Sequence, residues 1–147
     1  MRRTVGRDRE RGVAAVEFAL IVPLLMAIII GIVEFSLAWN YKTQMNNAAQ
    51  AAARDYAVSR YKVATDATAV TQAKNVFTGA MSGGSGFTYS FRMINPTTGA
   101  VYTGECPVTE TSPSPSVRVR VTANRPTVTR MFGTSFSTVG TGVAKCS

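Results

Sequence analysis

Histidine is absent from this 147-residue sequence, and cysteine occurs only twice. No Cys/His metal cluster can be built from that inventory. The usual imidazole base that activates a nucleophile is missing too. An enzyme would have to run on carboxylates, lysine or tyrosine, and no pair is spaced for it. The expectation is a protein that is not an enzyme and holds no cofactor and no metal. Acidic residues are scarce as well, with 8 Asp and Glu against 16 Lys and Arg, for a net charge of +8. The glycine-rich stretch "GAMSGGSG" (79–86) lacks the G-K-[ST] of a phosphate loop and reads as a flexible break.

The excess charge is uneven. Arg2, Arg3, Arg7, Arg9 and Arg11 precede a long apolar run, opposed only by Asp8 and Glu10. A basic cluster beside such a run marks the cytoplasmic flank of a membrane segment. A basic arm for nucleic acid or anionic lipid is the other reading, but the adjoining apolar run favours topology. The high pI alone does not argue for nucleic acid: no recognition motif is present, and part of the charge lies in Met1 to Gly12. The remainder of the chain then belongs across the membrane. That compartment oxidises thiols, so Cys106 and Cys146 are a candidate disulfide, with two free thiols as the alternative.

Phe18 to Val33 carries no charge. At ~1.5 Å per residue it spans roughly 24 Å, short of a ~30 Å hydrocarbon core. Val13 to Val16 and Phe35 to Trp39 make up the length, which brings in Glu17 and Glu34. Trp39 and Tyr41 suit the far interface. A plain single-pass anchor explains the length and the arginines but not Glu17, since a central acid costs about 2.5–3.5 kcal/mol. A secretory signal peptide cut after Ser36-Leu37-Ala38 has the right flank, but its apolar run exceeds the usual ~7–15 residues.

A third reading accounts for the acid. The stretch "RERGVAAVEFALIVPLL" resembles the pseudopilins of the tight-adherence (Tad) secretion system, the TadE-like family. Gly12, Val13-Ala14-Ala15-Val16, Glu17 and Phe18 fit its pattern: a basic leader ending in glycine, four residues, Glu-Phe, then an apolar helix. The resemblance implies a membrane-embedded aspartic prepilin peptidase that cuts between Gly12 and Val13. It implies partners among other pilin and pseudopilin subunits and the Tad assembly machinery, with no nucleic acid. Cleavage would create an α-amino group at Val13, cationic below about pH 7.7–8.0. Glu17 lies four residues on, on the same helical face. It could pair with that amine or with a neighbouring subunit's, setting axial register, with Phe18 beside it. The second "VEF", in "GIVEFSLAW", fails the pattern because Gly31 precedes Glu34 by three residues. Glu34 reads as an ordinary interfacial carboxylate.

The helix is expected to run from about Ala14 to Ala57, loosened at Pro23. Leu37, Tyr41, Met45, Ala48, Ala52 and Tyr56 form one apolar face. Thr65 or Asp66 caps a second helix whose apolar side is Ala67, Val70, Ala73 and Phe77. The period then becomes two. "FTYSFRMI" (87–94), "AVYTGEC" (100–106), "SVRVRVTAN" (116–124) and "TVGTGVAKC" (138–146) read as strands, with "NPTTG" a turn and "SPSPS" a stiff loop. Val117, Val119 and Val121 point inward. Arg118 and Arg120 point outward near Arg92, either as a solvated face, the simpler reading, or as a contact for an anionic partner.

The expected organisation is a leader over 1–12, a transmembrane and assembly helix over 13–39, a helical extension over 40–60 and an extracytoplasmic domain over 61–147. The fold class is α+β: a long hydrophobic helix, a short second helix and a small antiparallel sheet of three or four strands. The expected location is the inner (cell) membrane, single-pass, with the N-terminus cytoplasmic, or an extracellular pilus after assembly. An unprocessed, membrane-anchored binding module is the alternative.

Overall fold

The computed structural model describes residues 6–62, 65–81, 86–109, 112–127 and 133–146. Helix α1 (Gly6–Lys62) is followed by helix α2 (Asp66–Ala80) and strands β1 (Thr88–Ile94), β2 (Val101–Tyr102), β3 (Ser116–Pro126) and β4 (Ser135–Lys145). The strands form one antiparallel sheet in the order β2-β1-β3-β4. The α+β expectation is borne out. Contacts divide the chain into two units, Met1–Leu37 and Ala38–Ser147.

In the first unit α1 begins at Gly6, earlier than expected, and runs through Pro23 without a break. The arginines before Gly12 are good helix formers, and no proline interrupts them. Large apolar side chains such as Phe18, Leu20 and Leu24 are all more than half exposed. By length and composition this helix can cross a membrane.

In the second unit α1 continues to Lys62, past the expected end at Ala57, and becomes one-sided. Its buried positions are Met45, Ala48, Ala49, Ala52, Ala53, Tyr56, Ala57 and Arg60, at alternating steps of three, one and three. That stripe is a helix face laid on a sheet. Met45, Ala48, Ala52 and Tyr56 lie where the periodicity placed them, and Tyr41 is half-buried. Leu37 does not join: it is exposed and belongs to the first unit.

The sheet supplies the opposing surface. Val117, Val119 and Val121 are fully buried, and Met93 is buried beside them. Phe87, Tyr89 and Phe91 pack against the core from the same side. Phe77 of α2 meets Phe87 and Tyr89 edge-on, at 5.0 and 5.5 Å between ring centres. The buried face of α2 is Ala69, Ala73 and Phe77, so Ala67 is replaced by Ala69 at a strict four-residue step. Thr65 takes the N-cap position, but its hydroxyl bonds to that of Thr68 (2.7 Å) and leaves the helix backbone uncapped by a side chain. Of "AVYTGEC" only Val101–Tyr102 pairs as a strand, whereas β4 starts three residues before its expected start at Thr138. Asn95 organises the β1–β2 turn: its Oδ1 accepts from the Thr97 and Thr98 amides, at 2.9 and 3.1 Å.

Between α1 and β4 the two backbones come into direct contact. A Cβ built on Gly142 would lie 2.1 Å from the Ala49 carbonyl oxygen, and one on Gly140 would lie 2.6 Å from that of Met45. Only hydrogen fits at either place. Beside this contact runs a polar ladder. The Lys42 ammonium donates to the Val139 carbonyl. Asn46 Oδ1 accepts from the Thr141 amide at 3.2 Å. The Gln50 side chain both donates to the Val143 carbonyl (2.8 Å) and accepts from its amide (2.9 Å). Four helical residues rise ~6 Å and two strand residues ~6.8 Å, so the two periods stay in step over three rungs. The ladder occupies backbone groups that an edge strand would leave open.

Two measurements check this packing. Gly142→Ala is expected to lower the unfolding free energy by roughly 1–3 kcal/mol in denaturant titrations. Gly79→Ala, where a Cβ meets nothing, should leave it equal or slightly higher. Tyr89 has a buried hydroxyl with no hydrogen-bond partner among the described residues, and burial raises its pKa above 10.0. The folded state then keeps its proton where the unfolded state loses it. This contribution is complete below pH ~10 and declines as pH rises further. Tyr89→Phe should remove that part of the alkaline slope and stabilise by up to about 1 kcal/mol at neutral pH.

Candidate functional site

Gly12, Val13, Glu17 and Phe18 all lie on α1 and all are exposed. Val13 and Glu17 are separated by one helical turn and share a face. A Cβ at Gly12 would meet nothing within 4 Å, so tertiary packing does not demand glycine there. Phe18 is 70 % exposed. The site is thus a helical surface, open on all sides, with one acid in an otherwise apolar neighbourhood. Glu34 lies on the same helix at a half-buried position. Lys42, two turns further on, is the first rung of the ladder to β4.

A second cluster joins three segments of the domain. Arg60, at the end of α1, is 9 % exposed. Its Nη2 donates to Glu105 Oε2 at 2.6 Å, and its Nε lies 3.9 Å from Asp66 Oδ1. Tyr56 donates to the same Asp66 oxygen. Asp66 also opens α2, where an acid suits the helix dipole. The residue after Glu105 is Cys106, which forms a disulfide with Cys146, Cα–Cα 5.6 Å. The expected cysteine pairing is therefore present in the structure. The bond holds the Glu105 segment to the end of β4, where the Cys146 amide donates to the Pro115 carbonyl at 2.9 Å.

The sequence reading missed Arg60, Asp66 and Glu105 as a set, and also the ladder. The ladder left a trace, Lys42, Asn46 and Gln50 at four-residue steps beside the apolar face. The ion cluster left none, because its members are 45 residues apart at the widest. Among the described residues no group of three or more His, Cys, Asp and Glu side chains is placed to hold a metal ion.

A membrane-length exposed helix feeding a small disulfide-linked α+β domain defines a class of single-helix, membrane-anchored proteins. Within that class, a family model described as TadE-like protein matches residues 12–54. Over that segment, less than a third of the chain, the sequence is similar to TadE-like proteins. The matched segment lies wholly on α1, starts at Gly12 and includes Glu17, Phe18 and the three ladder residues. No curated protein and no solved structure gives a significant match.

The disulfide closes a sequence separation of 40 residues. A chain-entropy model puts that constraint at about 4 kcal/mol. Replacing both cysteines by serine is expected to lower the unfolding free energy by roughly 2–4 kcal/mol. The measurement is denaturation of the detergent-solubilised chain, with reduction of the native protein reproducing the loss.

Proposed function

We propose that this chain is a pseudopilin or minor pilin of a Tad, Flp-type pilus apparatus. A prepilin peptidase would free it from its leader between Gly12 and Val13. The observation that carries the reading is the TadE-like match, which begins at Gly12 and runs over the exposed apolar stretch of α1. An aspartic peptidase acts on extended backbone, so the helix must open locally at the scissile bond. Glycine in a helix costs about 1 kcal/mol relative to alanine, which favours opening there, and its missing side chain allows close approach.

After cleavage the new Val13 amine and the Glu17 carboxylate share one face of a helix end. In lipid, or between packed pilin helices, the pair is stabilising only while both members are present. Pairing between subunits would fix the axial step of an assembly. The apolar residues around it, from Phe18 to Val33, would exchange lipid contact for contact with other helices. The chain would sit in the inner membrane with its N-terminus cytoplasmic and the domain from Ala38 outside, awaiting incorporation. The domain would initiate, cap or decorate a filament, and its disulfide suits an oxidising compartment.

N-terminal sequencing of the membrane-extracted protein should begin at Val13. Retention of Met1 would leave an unprocessed anchored module, and a start at Trp39 would mean a secretory signal. Gly12→Ala should slow processing several-fold, in line with the helix propensity gained. Glu17→Ala should leave processing nearly intact and reduce assembly by tenfold or more, since an orphaned charge in apolar surroundings costs roughly 3–5 kcal/mol. Pulse-labelling and filament yield separate the two steps.

A further inference from the structure

The face of the sheet turned away from α1 carries charge of one sign. Arg92 on β1 is directly opposite Arg118 on β3. Arg120 is two residues further along the same face, opposite Ser90 and Thr141. Lys145 on β4 is opposite Ser116, diagonal to Arg118. Arg92, Arg120 and Lys145 are exposed and Arg118 is half-buried. No Asp or Glu occurs in β1, β3 or β4, so no neighbouring strand position neutralises them. Like charges directly across a strand pair destabilise a sheet, so this arrangement works against the fold that displays it. Arg92 turns one guanidinium nitrogen to the Thr103 hydroxyl, a neutral partner.

We infer that this face docks an acidic, extended segment of a partner protein. Arg118 and Arg120 stand ~6.8 Å apart along β3, the spacing of alternate side chains in any extended chain. Carboxylates at every second residue of such a segment therefore meet both guanidinium forks, each able to bind bidentately. Arg92, across the strand from Arg118, flanks them. The face carries no aromatic ring on β1, β3 or β4, so it offers no stacking platform for nucleic-acid bases. Among the described acids of this domain none is offered to a second copy: Asp66 and Glu105 are held by Arg60, and Asp55 accepts from Ser59 within its own helix.

The test uses the full chain in a non-ionic detergent and a fluorescent peptide of alternating glutamate and serine, read by anisotropy at physiological salt. The comparison probes are a peptide of equal composition with its glutamates in one block, polyphosphate of matched charge, and anionic vesicles. The inference expects the alternating peptide to bind most tightly and to weaken with added salt. Arg118→Ser with Arg120→Ser should weaken it by about tenfold or more, whereas Arg54→Ser with Lys62→Ser, equal in charge but on α1, should change it by less than about twofold. Arg118→Lys with Arg120→Lys keeps the charge and serves if the serine variant does not fold. It should lose several-fold, because lysine lacks the fork. Equal weakening by both serine pairs, equal binding of the blocked peptide, tighter binding of polyphosphate or vesicles, or no peptide binding would each overturn it.

Discussion

The fold of the second unit depends on one approach of backbone to backbone, where β4 lies against α1 with only glycine hydrogens between them. Everything else in the domain is arranged around that distance. The alanines of α1 are small because the sheet is near. The three valines of β3 reach the alanine stripe from the next strand over. The ladder of Lys42, Asn46 and Gln50 is possible because the β4 backbone lies within reach of these side chains. A larger residue at either glycine would separate the layers, lengthening the ladder bonds and opening the valine layer together. Packing and hydrogen bonding here are one constraint.

A second, smaller constraint secures the other end of the domain. Burying a guanidinium is costly unless its charge and its donors are both met. The Arg60 charge is met by Glu105 from the loop before β3, to which Nη2 donates, and by Asp66 at the start of α2, at ion-pair distance from Nε. The disulfide beside Glu105 reduces the entropic cost of bringing that loop in. The ring cluster of Phe77, Phe87 and Tyr89 then fills the space between α2 and β1. The domain is thus held by contacts between glycine and alanine at one end, and by a salt bridge with a covalent link at the other.

Much of this was legible in the residues, and the exceptions have physical causes. Alternation made β3 readable because one face is valine and the other arginine. Three-four periodicity located the buried face of α1 beyond the membrane stretch, since Met45, Ala48, Ala52 and Tyr56 repeat with the helix. Leu37 was misassigned because hydrophobicity alone cannot distinguish a side chain meant for lipid from one meant for a core. In α2, Ala67 and Ala69 are the same residue, and only the position of Phe77 against the sheet decides between them. "AVYTGEC" yielded a strand of two residues because the segment turns away toward the disulfide. The N-terminal motif was legible as a pattern of glycine, acid and phenylalanine. The Arg60 cluster was not, because long-range ion pairs leave no period in a sequence.

The ladder also has a consequence in time. The helix rungs and the strand they meet are separated by 93 to 97 residues. A chain delivered from its N-terminal end exposes the alanine stripe and three polar side chains long before β4 exists to receive them. The helix must therefore wait as a half-satisfied surface, one side suited to a sheet that has not arrived. Contacts of such high sequence separation form late and slowly. During that interval the same stripe is open to any other strand edge or small-residue helix within reach.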